Sequence, residues 1–207
     1  MAIEYRKYNN YDEYVNHQSS KLRTNIEQFK KSFKQRYKTI YFRVEKLVSN
    51  MDKGKVLCLG ARLGEEVKAF IALGFDKAVG IDLYPGENNP LVIKGDFHNI
   101  NFGDKSFDIV YTNCLDHASD LNKIISECKR VLNDNGNVIL EISKSVRLTT
   151  KWKDKNKQKQ IESSKYYESM IWDSIDDVVN EFKENGFEEI SRVSNDLNYL
   201  GVVLRKK

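Results

Sequence analysis

Apolar residues recur every three or four positions from Asp12 to about Ser49, at Leu22, Ile26, Phe29, Phe33, Tyr37, Ile40, Val44 and Leu47, the spacing of a helix with one buried face. Neither Pro nor Gly interrupts this stretch, so the pattern predicts either one long helix or two joined by a bend. After a turn at Asn50–Gly54 the pattern changes. Lys55–Gly60 is a short apolar run ending in glycine, Glu65–Leu73 has helical spacing through Val67, Phe70 and Ile71, and Ala78–Asp82 is a second apolar run. Leu91–Ile93 and Phe107–Tyr111 read as strands. Leu121–Leu132 reads as a helix, Asn133–Gly136 as a turn and Asn137–Ile142 as a fifth strand. Farther on, Ser174–Asn185 has helical spacing, with Asp173 or Ser174 as N-cap and acidic residues in its first turn. Phe187–Val193 and Tyr199–Leu204 form an expected terminal antiparallel hairpin.

Strands that are apolar throughout and alternate with helices predict an α/β domain whose mostly parallel sheet is covered on both faces. In such sheets ligands bind beyond the C-terminal ends of the strands. Residues 143–165 break the alternation, with a lysine at every second position from Lys151 to Lys159, and are expected to form a long basic loop or lid.

The 207 residues include 34 Lys plus Arg and 30 Asp plus Glu, a net charge of +4. The distribution says more than the total. Residues 1–50 carry 11 basic and 5 acidic residues and 144–165 carry 8 and 2, whereas 51–143 carry 10 and 14 and 166–207 carry 5 and 9. Two basic segments thus flank an acidic middle; they either steer an anionic substrate or are solvated lysine. Three cysteines without a CxxC pair and only 3 histidines encode neither a disulfide framework nor a zinc cluster. With no apolar leader and no run of 18 apolar residues, a cytoplasmic protein with no membrane segment is expected.

The strongest chemical signal is the strand, Gly60, three residues, Gly64, a helix, and then a strand ending in Asp82. Glycine permits the tight turn and close approach to a ligand, and a carboxylate 22 residues after Gly60 is placed to accept from both ribose hydroxyls. The stretch lacks the spacing, lysine and hydroxyl of a phosphate-binding P-loop. The full dinucleotide pattern is absent as well, which speaks against an oxidoreductase. Glu65 and Glu66 occupy the first helical turn, where a phosphate would otherwise sit. They suit a ligand with a positive portion, or serve only the helix dipole.

Lys55–Gly64, Val79–Leu83, Gly95–Phe97, Phe107–Asn113 and Leu121–Gly136 together resemble the class I S-adenosylmethionine-dependent methyltransferases. Gly95-Asp96, Asn101-Phe102, Asp104, Ser106-Phe107-Asp108, Leu115-Asp116-His117, Asp120 and Glu127 through Leu132 follow that group's order over residues 55–204. The resemblance implies a single Rossmann-like three-layer sandwich at 51–207, with the basic loop spanning 143–170 and residues 1–50 as a helical extension or lid. It implies S-adenosylmethionine as cofactor. Gly60 and Gly64, with Ala61, Arg62 and Glu65 of the same turn, would border its methionine portion. Asp82 would hold the ribose diol, Leu83 would pack on adenine, Asp96 and Phe97 would meet the adenine amine and ring, and Asn113 and Cys114 would floor the methyl-donor site. Two positions depart from the family: Cys58 stands where an acidic residue is usual, and Arg62 where a further glycine is.

Methyl transfer to a heteroatom is a direct displacement, for which alignment and exclusion of water suffice. If a base assists, His117 is the candidate, with Asp116 to orient it. The run Asn113-Cys114-Leu115 lacks the prolines and aromatic residue of enzymes that methylate base amines. Acceptor contacts are expected from His17, Arg147, Lys151 and Trp152. A small-molecule acceptor, or another anionic one, is favoured. The mixture of cationic and aromatic side chains also keeps open an RNA acceptor, or a nucleoside- or RNA-binding module without catalysis. Oligomeric state is left open.

Overall fold

The structure, a computed structural model, describes residues 3–144, 167–194 and 199–207. Strand β1 (Ile3–Tyr5) precedes a single uninterrupted helix α1 (Tyr11–Val48), which settles the choice between one helix and two. Asn10 caps it by accepting from the Glu13 N–H, and Asn9 N–H donates in turn to Glu13 Oε2 at 2.7 Å, so donors at the helix start are satisfied from within. There follow β2 (Val56–Leu59), α2 (Glu65–Ala72), β3 (Ala78–Asp82), β4 (Val92–Lys94), β5 (Phe107–Thr112), a short 3-10 turn (Leu115–His117), α3 (Leu121–Val131) and β6 (Leu132–Ser143). The chain closes with β7 (Met170–Trp172), α4 (Ile175–Glu184), β8 (Phe187–Ser194) and β9 (Tyr199–Lys206).

Seven strands form one sheet in the order β4-β3-β2-β5-β6-β9-β8. The first five pair in parallel, and β9 and β8 join antiparallel. The alternation of side chains along each strand divides the core into two. Val56, Cys58, Ile109, Tyr111, Ile139 and Val203 pack with α1 and α2 on one face. Leu57, Leu59, Val110, Val138, Leu140, Val202 and Leu204 pack with α3 and α4 on the other. The expected three-layer α/β architecture with its terminal hairpin is therefore present.

The polar run Asn133–Gly136 is looped out of the ladder between β5 and β6. Pairing passes from Phe107–Leu132 directly to Ile109–Asn137, and Asn135 takes the left-handed conformation at φ 61°. Helix α4 starts in a capping box between Ser174 and Asp177, as its sequence anticipates.

The two-stranded sheet of β1 and β7 has no counterpart among the elements expected from sequence. Ile3, Glu4 and Tyr5 pair with Trp172, Ile171 and Met170. The last residues of the stretch expected to be a basic loop, 167–170, are thereby tied to the N-terminal segment. Arg147, Lys151, Trp152 and most of that loop lie outside the described residues. Among the described residues, no helix is long and apolar enough to cross a membrane.

Candidate active site

Strands β3 and β4 lie to one side of β2, and β5 and β6 to the other. This reversal of chain progression opens a crevice at the C-terminal ends of the strands. A cavity of about 240 Å³ occupies it, lined by Gly60 after β2, Asp82 and Leu83 at the end of β3, Phe97 after β4, and Asn113 and Cys114 after β5. Helix α1 supplies the opposite wall through Tyr14, Gln18, Lys21, Leu22 and Arg36, and Arg62, Asp116, His117 and Tyr199 complete the lining.

Gly60 has φ +63°, and a Cβ there would stand 2.2 Å from Cys114 Sγ. Only glycine therefore fits between the β2 turn and the β5 end, and its bare backbone borders the cavity. Asp82 is held by the turn it faces. Its Oδ2 accepts from the Arg62 N–H and its Oδ1 from the Tyr84 N–H, each at 2.9 Å. Burial raises the Asp82 carboxyl against those two bonds. Each oxygen keeps a lone pair, so the group remains an acceptor suited to a ribose diol.

Arg62 occupies the position of the missing glycine and pays the steric cost directly, at φ 45°. Its guanidinium lies over the Phe29 ring of α1, 4.9 Å from the centroid. The arginine thus leans on the roof helix instead of meeting a carboxylate. Cys58 is fully buried, and burial, followed by the nearby Glu66 charge, raises its thiol. A buried carboxylate, Glu66, stands nearby at the start of α2. Glu66 Oε1 accepts from Arg36 Nη2 at 3.1 Å and Asn113 Nδ2 at 3.0 Å. Glu65 is equally buried; burial, reinforced by Glu66, raises its carboxyl.

The remaining expected cofactor residues stand behind the lining. Ala61 is fully buried and Gly64 caps α2 at φ 96°. Asp96 is engaged by its own chain: Oδ1 accepts from the His98 N–H at 2.8 Å, and Oδ2 accepts from the Tyr11 hydroxyl. Burial opposes ionisation there, but the bonds from His98 and Tyr11 hold the carboxyl below its ordinary value. Burial also pushes the Cys114 thiol up to about 12, so it is a packing group rather than a thiolate nucleophile.

His117 lies among bonded partners. Its Nδ1–H donates to the Tyr167 carbonyl at 2.9 Å, which leaves Nε2 as the acceptor, and Lys21 Nζ donates to it at 2.9 Å. Asp116 Oδ2 is 3.7 Å from Nε2. Burial, with Lys21 adding to it against the opposing Asp116 charge, lowers the imidazole to about 4. It is therefore neutral at physiological pH, with its basic nitrogen already covered by Lys21. His17 is outside the cavity, in a groove with Arg6, Tyr8 and Asn16, where its ring stacks on Tyr167 at 5.4 Å.

The sequence expectation did not include Tyr14, Gln18, Lys21, Leu22, Arg36 or Tyr199. For Tyr14 and Gln18 the signal is the helical period itself: stepping back from Leu22 by four and by eight positions reaches Gln18 and Tyr14. These polar residues continue an apolar face and so line a polar cavity.

The sequence model of a methyltransferase domain matches residues 57–140, the segment from β2 to β6 that builds the cavity floor. The chain is also 30% identical over 149 residues to the uncharacterized protein MJ1123 of Methanocaldococcus jannaschii, covering 71% of each. The chain belongs to the class I S-adenosylmethionine-dependent methyltransferases. Among solved structures, the methyltransferase resembles the Burkholderia thailandensis 1,6-didemethyltoxoflavin-N1-methyltransferase with bound 1,6-didemethyltoxoflavin and S-adenosylhomocysteine. The TM-score is 0.69 at 15% identity, over 99% of this chain and 94% of that one. It also resembles a Thermotoga maritima methyltransferase described as a possible histamine N-methyltransferase, with TM-score 0.66 and 15% identity over 92% and 100% of the two chains. Its cofactor is S-adenosylmethionine, and the Gly60 cradle and the Asp82 carboxylate suit that molecule's shape and donors.

Proposed function

We propose that this methyltransferase acts on a small anionic molecule held between α1 and the C-terminal ends of the parallel strands. The observation that carries the reading is the bonding of the roof across the cavity. Tyr14 OH donates to the His117 carbonyl at 3.1 Å, and Gln18 Nε2 donates to the Tyr167 carbonyl at 2.8 Å and to Ser169 Oγ at 2.7 Å. Arg6 Nε donates to the Glu168 carbonyl at 2.9 Å. A roof pinned at these points favours an acceptor small enough to be enclosed. Arg36 and Arg62 bring two permanent cations to the lining, against Asp82 and Asp116; together with the positive charge of the methyl donor they favour an acceptor with negative charge.

In this reading Gly60, Arg62, Asp82, Leu83, Phe97, Asn113 and Cys114 hold the cofactor, which supplies an electrophilic methyl group. Asp116 and His117 border the acceptor end with Lys21, where they orient the acceptor and keep water out. Residues 1–50 act as the covering element. The test is to supply labelled methyl donor with fractionated host extract and follow the label. Incorporation into small acidic metabolites is the expected result, whereas incorporation into RNA or protein alone overturns the acceptor assignment.

A further inference from the structure

We infer that Lys21 is the group that takes the acceptor's proton, and that its proton occupancy follows the charge of the cofactor bound beside it. The inference rests on the reading of the cavity as a joint cofactor and acceptor site. Its basis is the geometry of the pair with His117. The Tyr167 carbonyl can only accept, so it fixes the imidazole proton on Nδ1 and turns the bare Nε2 toward Lys21. A lysine amine has N–H bonds to give in either protonation state. Lys21 can therefore keep its bond to Nε2 after losing a proton, and the lone pair so released is directed away from His117. His117 is a positioning residue here, and Lys21 is the nitrogen the acceptor can reach.

The groups facing Lys21 come from several elements. The Asp116 carboxylate favours the ammonium; Arg62 and Arg36 disfavour it. Cys114 faces it as a neutral thiol, and the Tyr167 ring lies 5.5 Å from Nζ. Burial is the largest influence and lowers Lys21 from its ordinary value. S-adenosylmethionine carries a positive sulfonium, whereas S-adenosylhomocysteine carries a neutral sulfur. Enclosing the former adds a third cation to a cavity that already holds Arg36 and Arg62, which drives the proton off Lys21. The base form is thereby favoured while the methyl donor is present.

The balance is simple. A lone pair of the acceptor's X–H group forms the X–CH3 bond, and the carbon–sulfur pair returns to sulfur. The X–H proton passes to Lys21 Nζ and leaves later to water.

Calorimetric titrations in two buffers of different ionisation enthalpy, between pH 7.5 and 8.5, test this without an acceptor. The expected result is a net release of protons on binding S-adenosylmethionine that exceeds any release on binding S-adenosylhomocysteine. In Lys21→Met that difference disappears while both ligands still bind. Lys21→Arg, which keeps a permanent charge, loses the difference too and covers the case in which the methionine variant does not fold. Equal proton exchange for the two ligands in the unaltered protein overturns the inference, as does a difference that persists in a folded Lys21 variant. If neither ligand binds the unaltered protein, the cofactor assignment of the cavity falls, and the inference falls with it.

Discussion

Arg43 of α1 donates to Glu141 of β6 at 2.7 Å, and Tyr111 OH donates to the other carboxylate oxygen at 2.6 Å. Glu141 is 1% exposed, so the pair anchors the roof helix to a buried charge in the sheet. Removing one member of such a pair strands the other. Arg43→Met is expected to cost roughly 2–3 kcal/mol, read as a lower urea midpoint at unchanged m. Lys30→Met removes the exposed pair with Glu27 and is expected to leave the midpoint unchanged.

The fit of Gly60 against Cys114 separates a packing effect from a cofactor effect. Gly60→Ala introduces both the clash with Sγ and a side chain at φ +63°. A destabilisation of about 2 kcal/mol or more is expected, with loss of measurable S-adenosylhomocysteine binding. Adding Cys114→Ala relieves the clash. The double variant should regain only the part of the stability lost to the clash, the strain at φ +63° remaining, and should not regain affinity, because the new methyl group still fills the cradle. Recovery of full affinity in the double variant would count against Gly60 as a cofactor contact.

Asp82 accepts from the Arg62 and Tyr84 N–H groups, and two variants separate that role from the ribose contact proposed for it. Asp82→Asn keeps one acceptor oxygen for two backbone donors, whereas Asp82→Ala keeps none. S-adenosylhomocysteine affinity is expected to fall by roughly tenfold in the first and by about a hundredfold in the second. Isothermal titration measures both, and an alanine variant of unchanged affinity would remove Asp82 from the ribose site.

His117 shapes the acid limb of stability. Its folded value of about 4 lies below the ordinary histidine value of about 6.5, so between those limits the unfolded chain binds the extra proton. Stability is therefore complete above pH 6.5, falls as the pH drops toward 4, and changes no further through this group below that. The loss amounts to at most about 3 kcal/mol. Urea unfolding at pH 4.5 and 7 should show a smaller pH effect in His117→Gln than in the unaltered protein. An identical effect in both would place the acid sensitivity elsewhere.

The sheet was readable because its strands are runs of apolar residues bounded by Gly, Asn and Asp, and the spacing of Gly60 and Asp82 pointed to the end of the sheet where both line the cavity. The β1 and β7 pairing was not, since three residues such as Ile3-Glu4-Tyr5 carry no periodicity and their partner lies far along the chain. Arg36 and Lys21 were hidden for another reason. A charged residue on a helix reads as solvent-facing until a partner is seen, and the partners Glu66 and His117 lie on distant elements. His117 itself was legible as a candidate, but its neutral, occupied state depends on Lys21 and on the Tyr167 carbonyl.

The bond from Arg6 to the Glu168 carbonyl spans 162 positions, and this bears on the order in which the protein is made. A ribosome delivers the roof helix first, yet Ser169–Trp172, which fasten the segment before it, emerge only after the sheet floor through β6. Once β6 has emerged, the roof helix has its partners Glu66, His117 and Glu141 to hand, while the bonds from Arg6 and Gln18 to 167–169 still await theirs. The fastening at the N-terminal end of the cover is thus the last to become possible.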